Sequence, residues 1–529
     1  MKKIIYVFGV VLLVIVAVLN LIFTTRLNTA EEAVISLNSV LYVVGLIAVI
    51  VLLFFVTRFL NKYLYKDSSK KKIELRRFLF WCGFALYIIF NIVWLLNVNP
   101  KVGADSVHVA NLAQAMYEGN IDEVLTSETY LGMPLREYMQ AYSQQIPLAF
   151  FYSLFFRIIH FDIMEILRVL NLIGNILIVF AMYKISNQIS KKYETNNVLL
   201  FTMLFTFVSL PMLSTFVYGD TLGIAFGLLS VYFVMKYTDV KKIRYAVFSA
   251  LSIAVAYMVR MNSLIFIIAI VMYLLMSLFN GFTKKGAKEK LVGFAIIAAY
   301  IVIAFMPSTV IKNYYMSKWE LDKDKSCPYV SYLLMSMEES YRSNGWYNEK
   351  ISEPAIHDPD IAKREYPDKI KDRLGYFAKN PGYAFNFYVM KTASMWTENT
   401  YASIFYNIDG RTNSIMDYVK EAASLMGHEK KEFWNIEALD EPIEFYQKTL
   451  LILSCVCCVI FLLQNRKNVS LEVLLLITIF IGGFAFHTLW EGKSRYIIPY
   501  VIVIMPVAAI NIRRFFSKDI QASKKNESN

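Results

Sequence analysis

Apolar residues gather in runs of spanning or near-spanning length at about 4–23, 38–57, 77–96, 163–181, 196–215, 220–237, 244–259, 262–281, 291–312, 447–463, 470–489 and 496–511. A hydrocarbon core about 30 Å thick needs roughly twenty such residues in an α-helix, so the pattern predicts about twelve transmembrane helices. The first run follows Lys2 and Lys3 and reads as a signal anchor, being long for a signal-peptide core and lacking a small-residue cleavage site. Two long polar regions interrupt the series, 97–162 and 313–446. In the first, Asp105 stands where an N-cap would stand before a helix-like run from Ser106 to Tyr117, which Gly119-Asn120 stops. The apolar run 146–160 is short for a span and ends near Arg157 and His160, which predicts a helix lying in the outer interface. The second region is broken by Pro328, Pro354, Pro359, Pro367, Pro381 and Pro442, yet holds Trp346, Trp396 and Trp434. That aromatic density predicts a packed external domain and argues against a linker.

The fold class so predicted is an all-α polytopic membrane protein with a juxtamembrane helix in its first catalytic loop and an extracytoplasmic domain inserted between late spans. Its parts are an N-terminal hairpin and basic loop (1–76), a transmembrane module (77–312), the external domain (313–446) and C-terminal helices with a basic tail (447–529). Composition agrees: 57% of the 529 residues are hydrophobic and 15% aromatic, which excludes a soluble globular chain. The net charge of +12 would suggest a nucleic-acid partner in a soluble protein, but here the cations follow topology. With the N-terminus inside, Lys and Arg cluster in alternate loops, among them Lys66 to Arg77, Lys191-Lys192, Lys241-Lys242, Lys284-Lys285 and the tail from Arg513. That is the bias of cytoplasmic loops, and it leaves no call for nucleic acid. Of five cysteines, four lie in apolar runs and Cys327 alone in a polar one, so no disulfide framework is expected. Cys455, Cys457 and Cys458 lack zinc-ligand spacing.

Once the topology is set, polar residues far apart in sequence fall on one membrane face. Asp105 follows the third span. Asp220 sits in the turn Val217-Tyr218-Gly219-Asp220-Thr221, Arg260 and Asn262 in the next outer turn, and Glu491, Lys493 and Arg495 in the last. Asp and Asn are ordinary turn residues, and Asp105 can be a helix cap and nothing more. Arg260 and Arg495 are less easily dismissed, because positive charge is biased away from short outer turns. They call for a bound anion, whose phosphate form suits the guanidinium fork, or else for an acidic neighbour. If the ligand is a sugar on a lipid phosphate, the cations can neutralise the departing phosphate and a carboxylate can take the proton of the attacking hydroxyl. Asn171 and Asn175, four apart in a span, are expected to hydrogen-bond between helices. His108 and His487 lack co-ligands, and no metal ligands are assigned.

Taken in order, these segments resemble the membrane-embedded glycosyltransferases of the C fold that use polyprenyl-phosphate sugars, nearest to protein O-mannosyltransferases and the aminoarabinose transferase of lipid A. The match rests on Gly103-Ala104-Asp105-Ser106 after a span, the Ala-rich helix from Ala110 to Gly119, and Tyr142-Ser143-Gln144-Gln145-Ile146-Pro147-Leu148 for a Tyr-Pro-Pro-Leu-like segment. Asp220 at an outer turn and the late Arg495-Tyr496-Ile497-Ile498-Pro499 complete it. Ser106 stands where many relatives have a second acidic residue, and 313–446 matches no known segment. The resemblance implies an inverting transferase moving a sugar from an undecaprenyl-phosphate-type donor to a hydroxyl of an extracytoplasmic envelope glycopolymer or glycolipid. Asp105 is then the general base and Asp220 an assisting carboxylate, the two catalytic candidates. Arg260, Lys493 and Arg495 bind the donor phosphate, and Tyr142, Gln145, Asn262 and Glu491 orient donor or acceptor. No cofactor is assigned and a divalent metal stays open. A flippase of lipid-linked sugars is the alternative, and predicts charges at mid-membrane depth and broken helices in repeated halves. A non-catalytic envelope-binding protein is the other.

Overall fold

The computed structural model describes residues 2–65, 70–98, 100, 103, 105–129, 132–158, 163–193, 197–280, 286–407, 437–466 and 468–510. His160, Trp434, Lys66, Lys284, Lys285 and the basic tail from Arg513 lie outside the described residues.

Among the described residues nine helices are long and apolar enough to cross a membrane, the first Lys2–Ile22 and the last Leu471–Leu489. Three shorter apolar helices, Leu199–Thr215, Ile243–Val259 and Ser494–Ile510, fall on the remaining runs. The segment 199–215 is not one smooth helix: it breaks after Phe205 and resumes at Ser209–Met212, where Pro211 lacks the N–H a continuous ladder needs. Asn171 Nδ2 donates to Ser214 O (3.1 Å) and Phe216 O (2.9 Å), and Asn175 Nδ2 to Asn91 Oδ1 (2.8 Å) and Leu210 O (3.1 Å). These are the interhelical bonds expected of that pair.

The apolar helices alternate in direction. Ile243–Val259 and Leu471–Leu489 end, and Asp220–Val240 begins, at one end of the bundle. At the other end Lys192 Nζ reaches Glu472 Oε1 at 2.8 Å and Lys191 pairs with Asp239.

The described chain is predominantly helical, as expected, and three details were not foreseen. Phe23–Leu27 and Ala33–Leu37 pair as an antiparallel hairpin between the first two apolar helices. Its first strand is tied by Thr25 N donating to Thr397 O at 3.1 Å, and the residue opening its second strand by Ala33 N donating to Arg342 O at 2.7 Å. The run 146–160 forms a helix, Ile146–Phe156, most of whose residues are buried against the rest of the protein. Ser153 is its one strongly polar side chain, and a helix without a polar face belongs inside. The helix expected to stop at 312 runs on as Ala287–Lys318.

The second polar region folds into Tyr329–Met335, Glu349–His357, Pro359–Lys379 and Pro381–Trp396. Proline at the first position of the last two meets no missing hydrogen bond there. Trp346 and Trp396 are both fully buried, and Trp346 Nε1 donates to Ser394 Oγ at 2.8 Å.

Candidate functional site

A cavity of about 1130 Å³ opens where the bundle meets these helices, and eight of the nine candidate residues line it. They are Asp105, Tyr142, Gln145, Arg260, Asn262, Glu491, Lys493 and Arg495; the ninth, Asp220, lies behind the wall.

Asp105 begins the helix Asp105–Glu118. Its Oδ1 accepts from the Tyr138 hydroxyl, and Gln145 Nε2 donates to that hydroxyl at 3.3 Å. Tyr138 is fully buried, so the carboxylate is held from the protein side while the cavity remains open to it. Beside it the His108 ring lies 4.6 Å from that of Tyr138. Burial draws His108 below its ordinary pKa, with Asp105 opposing, so the imidazole is neutral at pH 7.

The cationic wall rests on Asp220. Its Oδ1 lies 2.9 Å from Arg260 Nε and its Oδ2 3.5 Å from Arg495 Nε. Gly219 lets the two turns approach, for a Cβ there would sit 1.9 Å from Val259 O. The acidic neighbour of both arginines is Asp220, because the turn brings it beneath the two guanidiniums. Rings complete the setting: the Arg495 guanidinium lies 4.2 Å from Phe216 and 5.0 Å from Tyr406, and Arg260 lies 4.8 Å from Tyr218. Such faces stabilise a cation without neutralising it. Arg495 Nη1 is buried and has no hydrogen-bond partner among the described residues, which leaves a donor for a ligand oxygen.

Lys493 pairs with Glu31, at the tip of the N-terminal hairpin, and Arg342 Nη1 lies 3.4 Å from the other Glu31 oxygen. Burial opposes the Glu31 charge, but Lys493 and Arg342 outweigh it and hold the carboxyl below its ordinary range. Burial likewise opposes the Lys493 ammonium, and Glu31 with Tyr406 holds it above the usual lysine value. The Glu491 carboxylate faces the same cavity; burial pushes its pKa up, Lys493 opposes, and Asp105 adds to the rise.

Glu31, Tyr138 and the aromatic partners of the arginines were not anticipated. Glu31 had a usable signal, since it stands in the outer turn between the first two runs, where the same parity rule gathers it. Tyr138 had none: one tyrosine among 35 in an unremarkable helix. Among the described residues no three His, Cys, Asp or Glu side chains gather as a metal site.

The arrangement sets a proton acceptor, Asp105, across one cavity from fixed cations, with hydroxyls and amides between. Residues 145–310 match the family described as dolichyl-phosphate-mannose-protein mannosyltransferase. Among solved structures, the archaeal oligosaccharyltransferase AglB from Archaeoglobus fulgidus, in complex with an inhibitory peptide and a dolichol-phosphate, is similar at 13% identity and a TM-score of 0.44. The alignment covers 85% of this chain and 52% of that one, so the chain spans about half the length of its neighbour. No curated protein matches the sequence. Over the stretch that carries Gln145, Asp220, Arg260 and Asn262, the chain is thus similar to a family described by transfer of mannose from a lipid phosphate to protein.

Proposed function

We propose that the protein is an inverting glycosyltransferase that moves one sugar from a polyprenyl-phosphate donor to a hydroxyl of an extracytoplasmic envelope glycopolymer or glycolipid. The plasma membrane is crossed twelve times in this reading, with both termini cytoplasmic and the cavity outside. The observation that carries it is the convergence of Asp105 with Arg260, Lys493 and Arg495 on one cavity. The match to a family named for a lipid-phosphate sugar supports the donor class.

In the reaction the acceptor oxygen attacks the anomeric carbon from the face opposite the phosphate. A new glycosidic C–O bond forms as the bond from carbon to phosphate oxygen breaks, and configuration inverts. The hydroxyl proton passes to Asp105, and the bonding pair leaves on the lipid phosphate. Charge grows on that phosphate as the bond breaks, so Lys493 and Arg495, fixed beforehand by Glu31 and Asp220, stabilise the transition state more than the ground state. Tyr142, Gln145, Asn262 and Glu491 supply hydrogen bonds to the sugars.

Asp105→Asn tests the assignment. The amide keeps the shape and can still bond Tyr138, but takes no proton. Transfer from a synthetic polyprenyl-phosphate sugar by purified protein should fall by about a hundredfold or more, the range of a positioned general base, while the variant still binds polyprenyl phosphate. Turnover near the parent's would remove Asp105 from the chemistry.

A further inference from the structure

Lys391 is fully buried on the helix Pro381–Trp396, and no carboxylate pairs with it among the described residues. Its ammonium spends all three N–H groups on carbonyls: Ser336 O, Thr488 O and Trp490 O, each at 2.9 Å. Thr488 is the penultimate residue of Leu471–Leu489 and Trp490 follows it. Helix-terminal carbonyls lack partners in their own helix and draw positive charge. Ser336 belongs to the external segment, so one nitrogen joins that segment to the end of a membrane helix.

Other contacts fasten the same stretch. Gly492 N donates to Gly345 O at 2.8 Å. Gly345 has φ +69, and a Cβ there would meet Lys391 Cδ and Cε at 2.6 Å. Trp490 stacks on Tyr332 at 5.2 Å and on Phe486 at 5.4 Å. The residues immediately after are Glu491, Lys493 and Arg495. Packing alone does not call for a lysine here, since burying an ammonium is unfavourable and methionine has a similar stem.

We propose that Lys391 is a positioning residue: it fastens the strap 488–492 to the external helices and so holds Lys493 and Arg495 where the donor phosphate binds. The external segment then governs donor binding as well as whatever acceptor it meets. This rests on the donor-phosphate role proposed above.

The test is Lys391→Met in the full-length purified protein, read by hydrogen exchange and by polyprenyl-phosphate binding. Exchange of the amides of 488–493 should quicken by about tenfold or more, and the Kd for polyprenyl phosphate should rise by about as much, since charge-assisted hydrogen bonds are each worth about a factor of ten. Exchange in Tyr329–Met335 and Pro359–Lys379 should not change. Unaltered exchange at 488–493 would overturn the proposal, as would loosening spread evenly over the external helices. If Lys391→Met does not fold, Lys391→Gln replaces it, because an amide keeps a polar tip but has two donors for the three carbonyls and no charge. A faster-exchanging strap with unchanged lipid-phosphate affinity also overturns the proposal. A parent protein that binds no polyprenyl phosphate speaks against the donor role itself, and the exchange result still decides whether Lys391 is the fastening.

Discussion

Asp220 holds two guanidiniums at once, and that sets what its removal does. Asp220→Asn leaves Arg260 and Arg495 without their shared anion, and their geometry loosens. Binding of polyprenyl phosphate should weaken by about tenfold, the scale of a lost hydrogen bond to a charged group. Arg495→Lys should also weaken it, because an ammonium keeps the charge but not the fork; unchanged affinity in both variants would make the trio a structural knot. Glu398 is a different case. It is fully buried, accepting from Thr400 N at 3.1 Å and Ala402 N at 2.7 Å, and burial pushes it up to about 7 against those bonds. The folded state therefore holds its proton more tightly than the unfolded chain. The resulting stability is complete below about pH 4.3 and is lost as pH rises through about 7. The melting temperature of the parent minus that of Glu398→Gln should fall between about pH 5 and pH 8, and parallel curves would assign the titration elsewhere. At this scale the sequence showed the arginines, because cations in outer turns oppose a known bias. It did not show that Asp220 serves them from below, because two turns meeting through Gly219 is a fact of packing. Lys391 carried no signal at all: one lysine in a stretch without periodicity.

Elements were legible where one physical requirement dominated. A spanning helix has to be apolar along its length, and each apolar run became helix, the run 196–215 in broken pieces. The hairpin 23–37 was not legible, because its strands are held by pairing and by Thr397 and Arg342, partners hundreds of residues away. The burial of 146–156 against the rest of the protein had a cause visible in its composition: an exposed helix needs a polar face, and this one has none. A buried pair shows how the hairpin is anchored. Glu444 and Lys448, one turn apart, lie 2.6 Å from each other with almost no exposure, and Lys448 Nζ donates to Phe23 O at 3.1 Å and to the Thr24 hydroxyl. Tyr42 Oη donates to Glu444 Oε2 at 2.5 Å. Lys448→Met strands a buried carboxylate and should destabilise the protein by roughly 3–5 kcal/mol. Glu444→Gln combined with it should recover much of that loss, measured as thermal stability in detergent. An additive double variant would mean that the pair is not coupled.

For the whole molecule, the gathering of the turns that carry Asp220, Arg260 and Arg495 at one end was legible, because it follows from the lengths of the apolar runs. The cavity was not, because its volume is fixed by the external helices, whose sequence predicts only that they pack. Orientation can be tested by labelling single cysteines in cells. A cysteine replacing exposed Phe385 should react from outside, and one replacing Lys191 only after permeabilisation; the reverse pattern would turn the proposed topology over. One contact has a bearing on how the molecule is made. Glu31 meets Lys493, so the turn after the first helix is completed by a residue translated long after it. A ribosome paused anywhere before residue 493 therefore displays a bundle whose binding wall is still open.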